Sequence, residues 1–312
     1  MARRRRSSLA LLGVLLGAGA LTALALPSAA GAASSGGTAP PSFPIATRIL
    51  KLVDATRLAK PRHGRATARR LTTIVRFPAA PARGPFPLIV FAHGFAVTPA
   101  TYYRLLRAWA QAGFVVAAPV FPLENRAAPG GPEESDLINE PGDMSFVISS
   151  LLSESASAAG PLRGLIDPER IAVAGQSDGA EAALAVADAR RYRDPRVRAA
   201  VILSGAELSG IGGYSFGPAS PALLAVQGTA DTSNEPRYTY AYFRAARRPK
   251  FLLRLLGARH LPPYTSQEPQ LGIVERLSIA FLESYLGPAP AELSELAFMG
   301  DVLGASQLVA DP

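Results

Sequence analysis

Short, nearly continuous apolar runs recur along the chain from about residue 87: PLIVFAHGF, FVVAAPVF, RIAVAGQ, VRAAVILSG, PALLAVQG and KFLLRLLG. Runs of this length without polar alternation fit strands buried on both faces of a parallel sheet. Two earlier segments, RILKLVD and RRLTTIVRF, read as further strands, the second closed by the Pro-rich turn FPAAPARGPFP. The stretches between them predict helices over 99–111, 140–155, 179–191, 235–247 and 268–286. Strand and helix in alternation imply right-handed crossovers. The expected class is α/β: one domain over 47–287, a mostly parallel central sheet with helices on both faces. The 288–312 tail is expected as either a docked helix or a frayed end.

The N-terminus follows a different pattern. Arg3–Arg6 form a basic block, Leu9–Leu26 carry no charge, Pro27 follows, and Ala30-Gly31-Ala32 offers a small-x-small cleavage site. This is the layout of an export signal, expected over 1–32, which gives a secreted or extracytoplasmic protein with no stable membrane span after cleavage. The apolar stretch is also long enough to stay as an uncleaved anchor. The paired arginines leave both general and twin-arginine export open, since Ser8 sits where the twin-arginine motif prefers an apolar residue. Residues 33–46, ASSGGTAPPSFPIA, read as a flexible linker.

Composition narrows the chemistry. The 312 residues are 48% hydrophobic and 18% charged, as in a globular protein. The absence of cysteine excludes disulfides, thiolate metal sites and a cysteine nucleophile. Three histidines (His63, His93, His260) leave little for a multi-histidine metal site. The net charge of +8 includes Arg3–Arg6; without the signal, 28 basic residues face 24 acids, which is no nucleic-acid footprint.

In such sheets reactive groups gather at the C-terminal ends of strands. The run IAVAG leads into Gly175-Gln176-Ser177-Asp178-Gly179 and then into Ala-rich AEAALAVADARR. Strand, G-x-S-x-G, helix is the setting in which a sharp turn exposes a serine nucleophile at a helix N-terminus. Gly213-Tyr214-Ser215-Phe216-Gly217 matches the same letters, but no buried strand precedes it and Pro218 follows. Ser177 is therefore the candidate nucleophile. A serine needs a base, and the base needs an orienting acid, in the chain order Ser, acid, His. His260, in the turn LLGARHLPPY, follows Ser177. Asp231, after the strand ALLAVQG, is the favoured acid; Glu235 is held in reserve, and Asp178, Asp188, Asp194 and Glu207 sit less well. The backbone N–H groups of Phe95 and Asp178 are the expected oxyanion donors, with His93 a structural residue of that loop.

The segments AHGF, GQSDGA, GTADT and GARHLPPY, in this order and spacing, resemble the α/β-hydrolase superfamily over about residues 85–286. More narrowly they are similar to secreted bacterial esterases of dienelactone hydrolase-like, chlorophyllase-like and cutinase-like type. The resemblance implies a Ser177–His260–Asp231 triad, an acyl-enzyme, no cofactor, and small-molecule or lipid ester substrates. Peptidases and acyltransferases share the scaffold, as do non-catalytic binding proteins, which usually lack a triad residue. Two departures bear on substrate. Cutinase-like polyesterases usually carry Met after the nucleophile, where this chain has Asp178, and many line the cleft with Trp. The lone Trp109 lies on an amphipathic helix and is expected in the core. The Asp178 charge would oppose an oxyanion unless its side chain turns away or is paired. The acidic run GGPEESDLINEPGD is expected to be a solvated loop and helix start, with calcium binding as the alternative. The 207–220 loop, with Tyr214 and Phe216, is a candidate lid.

Overall fold

The computed structural model describes residues 42–79, 84–206, 210–287 and 293–312. The expected signal and all but the end of the linker lie outside them. β1 (Ile45–Ala59), β2 (Thr67–Pro78), β3 (Phe86–Ala92), β4 (Val115–Val120), β5 (Ile166–Gln176), β6 (Val197–Leu203), β7 (Ala222–Gly228), β8 (Lys250–Leu255) and β9 (Ser306–Asp311) form one sheet. Their order is β1-β2-β4-β3-β5-β6-β7-β8-β9. The six strands from β4 to β8 run parallel, and antiparallel pairs close both sides.

The parallel strands are apolar through their central stretches because each buries both faces there. In β3, Leu88, Val90 and Ala92 enter one core, while Ile89 and Phe91 enter the other. The first core is covered by α2 (Glu140–Ala156), α3 (Asp178–Asp188) and α4 (Pro236–Ala245). The second is covered by α1 (Tyr103–Gln111), α5 (Gln270–Leu286) and α6 (Leu293–Gly300). Trp109 is fully buried there, and its indole N–H donates to Ser278 Oγ at 2.8 Å, as a buried indole requires. α3 ends three residues earlier than expected: Ala189 turns extended and pairs with Tyr214 in an isolated bridge.

The tail holds the docked helix that was one expectation, α6, and then goes beyond it. After α6 the chain returns as β9, antiparallel to β8 from Lys250↔Asp311 to Leu255↔Ser306. Asp311 forms ion pairs with Arg248 and Lys250. The sheet therefore runs beyond residue 287. SQLVAD hides this because its outer positions are exposed, Val309 among them, so no apolar run marks it.

Chain order reverses at the centre: β3 is flanked by β4 on one side and β5 on the other. Side chains at the C-terminal ends of β3 and β5 therefore meet across a crevice, where ligands bind in open α/β sheets. The helix that starts there comes very close to the sheet. A Cβ on Gly179 would lie 2.2 Å from the Ala92 carbonyl oxygen, and one on Gly175 would lie 1.9 Å from the Gly179 carbonyl oxygen. Neither distance is tolerable, and both obstacles are backbone. Gly179→Ala is expected to destabilise the fold by at least about 1–3 kcal/mol, the scale of overpacking. Urea unfolding checks this, and an unchanged midpoint would contradict the close approach.

Candidate active site

Ser177 occupies the turn between β5 and α3 with φ 58° and ψ −123°, a left-handed conformation that a residue with a side chain rarely adopts. Such strain is of order 1–3 kcal/mol and persists only where the surroundings impose it. Here its N–H donates to the Leu203 carbonyl at 3.0 Å, and its own carbonyl accepts from the Ala180 N–H at 2.9 Å. The turn holds the hydroxyl at the mouth of the crevice.

His260 reaches it from the loop after β8. Its Nε2 lies 2.9 Å from Ser177 Oγ, and its Nδ1 lies 2.8 Å from Asp231 Oδ2. Asp231 follows β7, and its other oxygen accepts the N–H groups of Ser233 and Asn234 at 2.9 and 3.0 Å. Gln227 Nε2 adds a third donor at 3.1 Å. Burial alone would raise the Asp231 carboxyl, but the His260 bond and charge and the Asn234 N–H hold it below its ordinary value. The aspartate stays ionised beside the imidazole. Glu235, the reserve acid, is exposed and pairs with Arg237. Asp188 lies elsewhere in the core, Asp194 pairs with Arg196, and Glu207 lies outside the described residues.

The loop after β3 faces Ser177 from the other side. His93 is fully buried; its Nε2 accepts from the Phe121 N–H at 3.1 Å, so the proton sits on Nδ1, 2.9 Å from the Gly94 carbonyl. Burial pushes its imidazole down to about 4, which keeps it neutral. The Gly94 N–H donates to Tyr102 Oη at 3.3 Å and the Ala96 N–H to the Glu124 carbonyl at 2.8 Å. Between them, the Phe95 N–H takes part in none of the hydrogen bonds among the described residues. Asp178 begins α3, so its N–H has no partner inside the helix. Both residues border a cavity of about 300 Å³, together with Ser177, His260, Gln176, Asn234, Val97, Leu261 and Glu134.

Two neighbours carry roles that the motif alone does not announce. The Tyr102 hydroxyl donates to Gln176 Oε1 at 2.7 Å, and Gln176 Nε2 donates to the His260 carbonyl at 3.2 Å. This side-chain bridge joins the β3 loop to the histidine loop beneath Ser177. Asn234 Nδ2 donates to the Ser204 carbonyl at 2.8 Å and lies 3.5 Å from Ser177 Oγ.

Asp178 does not turn away. Its Oδ1 lies 3.4 Å from Ser177 Oγ, and Oδ2 is buried without a hydrogen-bond partner. Burial, reinforced by the Glu134 charge, pushes this carboxyl up to about 6. Behind it, Glu124 and Glu140 are fully buried, and the same two causes, desolvation and neighbouring carboxylates, raise both. Glu124 is pushed up to about 8, so the pair keeps a proton at neutral pH.

The acidic run does contain the expected helix start, since α2 begins at Glu140, but its loop is largely buried and paired rather than solvated. Arg69 of β2, fully buried, reaches Asp136 with Nη1 and Nη2 at 2.9 and 2.8 Å and Asp143 with Nε and Nη2 at 2.7 and 2.5 Å. Arg57 adds bonds to Asp143 and to Asp54 at 2.7 Å. These pairs fix the 133–143 segment, and with it Glu134, against the β1–β2 hairpin. The proposed lid is also corrected over residues 210–220, the described part of its loop. The Tyr214 hydroxyl bonds Glu181 and its ring meets Tyr242 edge-on at 5.3 Å; Phe216 stacks on Tyr214. Nothing from 210–220 lines the cavity. Ser215 lies in that same loop, away from the crevice.

The mostly parallel nine-stranded sheet with helices on both faces is an α/β architecture consistent with the α/β-hydrolase type. Residues 56–203 match the model of the Chlorophyllase family, an α/β-hydrolase-type family, which points to an ester hydrolase. The match takes in the β3 loop and the Ser177 turn and ends at β6, before Asp231 and His260. No curated protein matches the chain. Among the described residues, no helix is long and apolar enough to cross a membrane.

Two outcomes follow for stability. Arg69→Met would leave Asp136 and Asp143 without their buried partner, at an expected loss of about 3–5 kcal/mol in urea unfolding. The second concerns pH. Glu124 holds its proton more tightly folded than unfolded, so its contribution is complete below 4.5 and is lost as pH rises through about 8. His93 acts in the opposite sense but below 6.5, and Asp178 and Asp188 titrate near 6. From pH 6.5 to about 8 the melting temperature should fall, and Glu124→Gln should flatten that slope. A parallel slope in the variant would count against the protonated pair.

Proposed function

We propose that the chain is an exported serine carboxylic-ester hydrolase acting on small to medium acyl or lipid esters through Ser177, His260 and Asp231. The observation that carries this reading is the hydrogen-bonded line from Asp231 through His260 to Ser177 Oγ, at 2.8 and 2.9 Å. Asp231 holds the imidazole with its proton on Nδ1, leaving Nε2 free to accept. Ser177 Oγ attacks the ester carbonyl and passes its proton to His260 Nε2. The Phe95 and Asp178 N–H groups receive the negative charge on the carbonyl oxygen. The intermediate collapses to an acyl-Ser177 ester as His260 returns the proton to the leaving alcohol. Water, deprotonated by His260, then attacks the acyl group, and the acid departs with Ser177 restored. The cavity of about 300 Å³ favours the small end of the substrate range.

Export rests on Arg3–Arg6, the uncharged stretch Leu9–Leu26 and the Ala30-Gly31-Ala32 site. The mature domain is taken to begin after residue 32, with its catalytic core from residue 47 onward.

The test is hydrolysis of p-nitrophenyl esters from acetate to palmitate by residues 33–312 and by Ser177→Ala. The wild type should turn over short and medium chains, and the variant should lose at least about a thousandfold in kcat. Equal activity in both would remove Ser177 from the mechanism.

A further inference from the structure

The cavity beside Ser177 has an unusual charge pattern for an ester site. Among the described residues, two carboxyls border it, Asp178 on the inside and Glu134 at the mouth, and no lysine or arginine does. Glu134 forms no ion pair among the described residues. The neighbouring acids differ: Asp136 and Asp143 are taken by Arg69 and Arg57, and Glu133 accepts the Arg62 N–H. Arg259, next to His260, is exposed and does not line the cavity. Asp178 is the second, independent observation. It is 5% exposed, faces Ser177 Oγ, and its Oδ2 has no partner.

A buried carboxylate beside the oxyanion donors works against the reaction, because negative charge develops close by in the transition state. A positive group on the substrate would remove that conflict. It would sit between Asp178 and Glu134 and offset their field, while Phe95, 41% exposed at the same rim, offers an aromatic face to a cation. Val97 and Leu261 supply apolar contact for the methyl groups of a quaternary ammonium.

We propose that the substrate of this site is a small ester carrying a cationic, ammonium-type group close to the scissile bond, recognised by Asp178 and Glu134. This deepens the hydrolase reading and rests on it. An anionic substrate, such as a hemiester with a free carboxylate, is excluded by the same field.

Matched ester pairs test this at pH 8, where Asp178 is ionised. One pair places the charge on the alcohol: butyrylcholine against 3,3-dimethylbutyl butyrate. The other places it on the acyl chain: an ethyl ester of a trimethylammonio-alkanoate against its tert-butyl isostere. In at least one pair the cationic ester should have kcat/KM roughly 10-fold or more above its isostere at low salt. That ratio should shrink as salt screens the exposed Glu134. Glu134→Gln and Asp178→Asn should each lower the ratio severalfold, and taking a ratio cancels any general loss from misfolding. Equal rates in both pairs, or ratios unmoved in both variants, overturn the proposal. Calorimetric binding of the same pairs to Ser177→Ala provides a readout independent of turnover. Tighter binding of the cationic member supports cation recognition by Asp178 and Glu134 even if the wild type cleaves no ester, a result that would sink the hydrolase reading while leaving that recognition standing. Equal binding overturns it.

Discussion

The site depends on how closely α3 is allowed to approach the sheet. Gly175 and Gly179 remove the two side chains that would hold the helix off, so its first turn rests on the Ala92 carbonyl. That approach forces the intervening residue into a positive φ and leaves its hydroxyl nowhere to go but the crevice. The histidine and aspartate loops need no strain of their own. They are anchored by ordinary donors, from Gln176 to the His260 backbone and from Ser233 and Asn234 to Asp231. Strain falls on Ser177 and on two neighbours that also have positive φ, Ala96 and Ser204, and rigidity is supplied by several residues.

A second layer of organisation is electrostatic and lies behind the crevice. Two buried arrangements of carboxyls adjoin each other and are stabilised by opposite means. Asp136 and Asp143 have their oxygens satisfied by Arg69, whereas Glu124 and Glu140 remain buried by keeping a proton. The Arg69 bonds tie the 121–143 segment to the rest of the fold, and that segment holds the β3 loop through the Phe121 N–H and the Glu124 carbonyl. The geometry around Phe95 is thus set partly by groups that never touch the cavity.

Sequence alone located what short-range pattern specifies. The parallel strands were legible because each carries a nearly continuous apolar run, and the Ser177 turn because its glycines lie two residues either side of it. Trp109 was legible as core from the amphipathic spacing around it. The charge pairing was not, because Arg69 lies 67 and 74 residues from Asp136 and Asp143 and nothing local links them. For the same reason the acidic run read as solvated, and Tyr214 read as a lid although its ring meets Tyr242, well along the chain. Gln176 was hidden in plain view as the variable letter of the motif; its work depends on Tyr102 and His260, which tertiary structure alone brings to it. β9 escaped because a half-exposed edge strand has no reason to be apolar.

That last strand has a consequence for how the molecule is made. Synthesis proceeds from the N-terminus, so every parallel strand has emerged before residues 306–311 exist. Until then β8 presents an unpaired backbone edge, the feature most prone to pairing with another chain. The edge is covered only once residues 306–311 have been made and have paired with it. A nascent or C-terminally clipped chain would carry every residue of the crevice and still be sticky along one side.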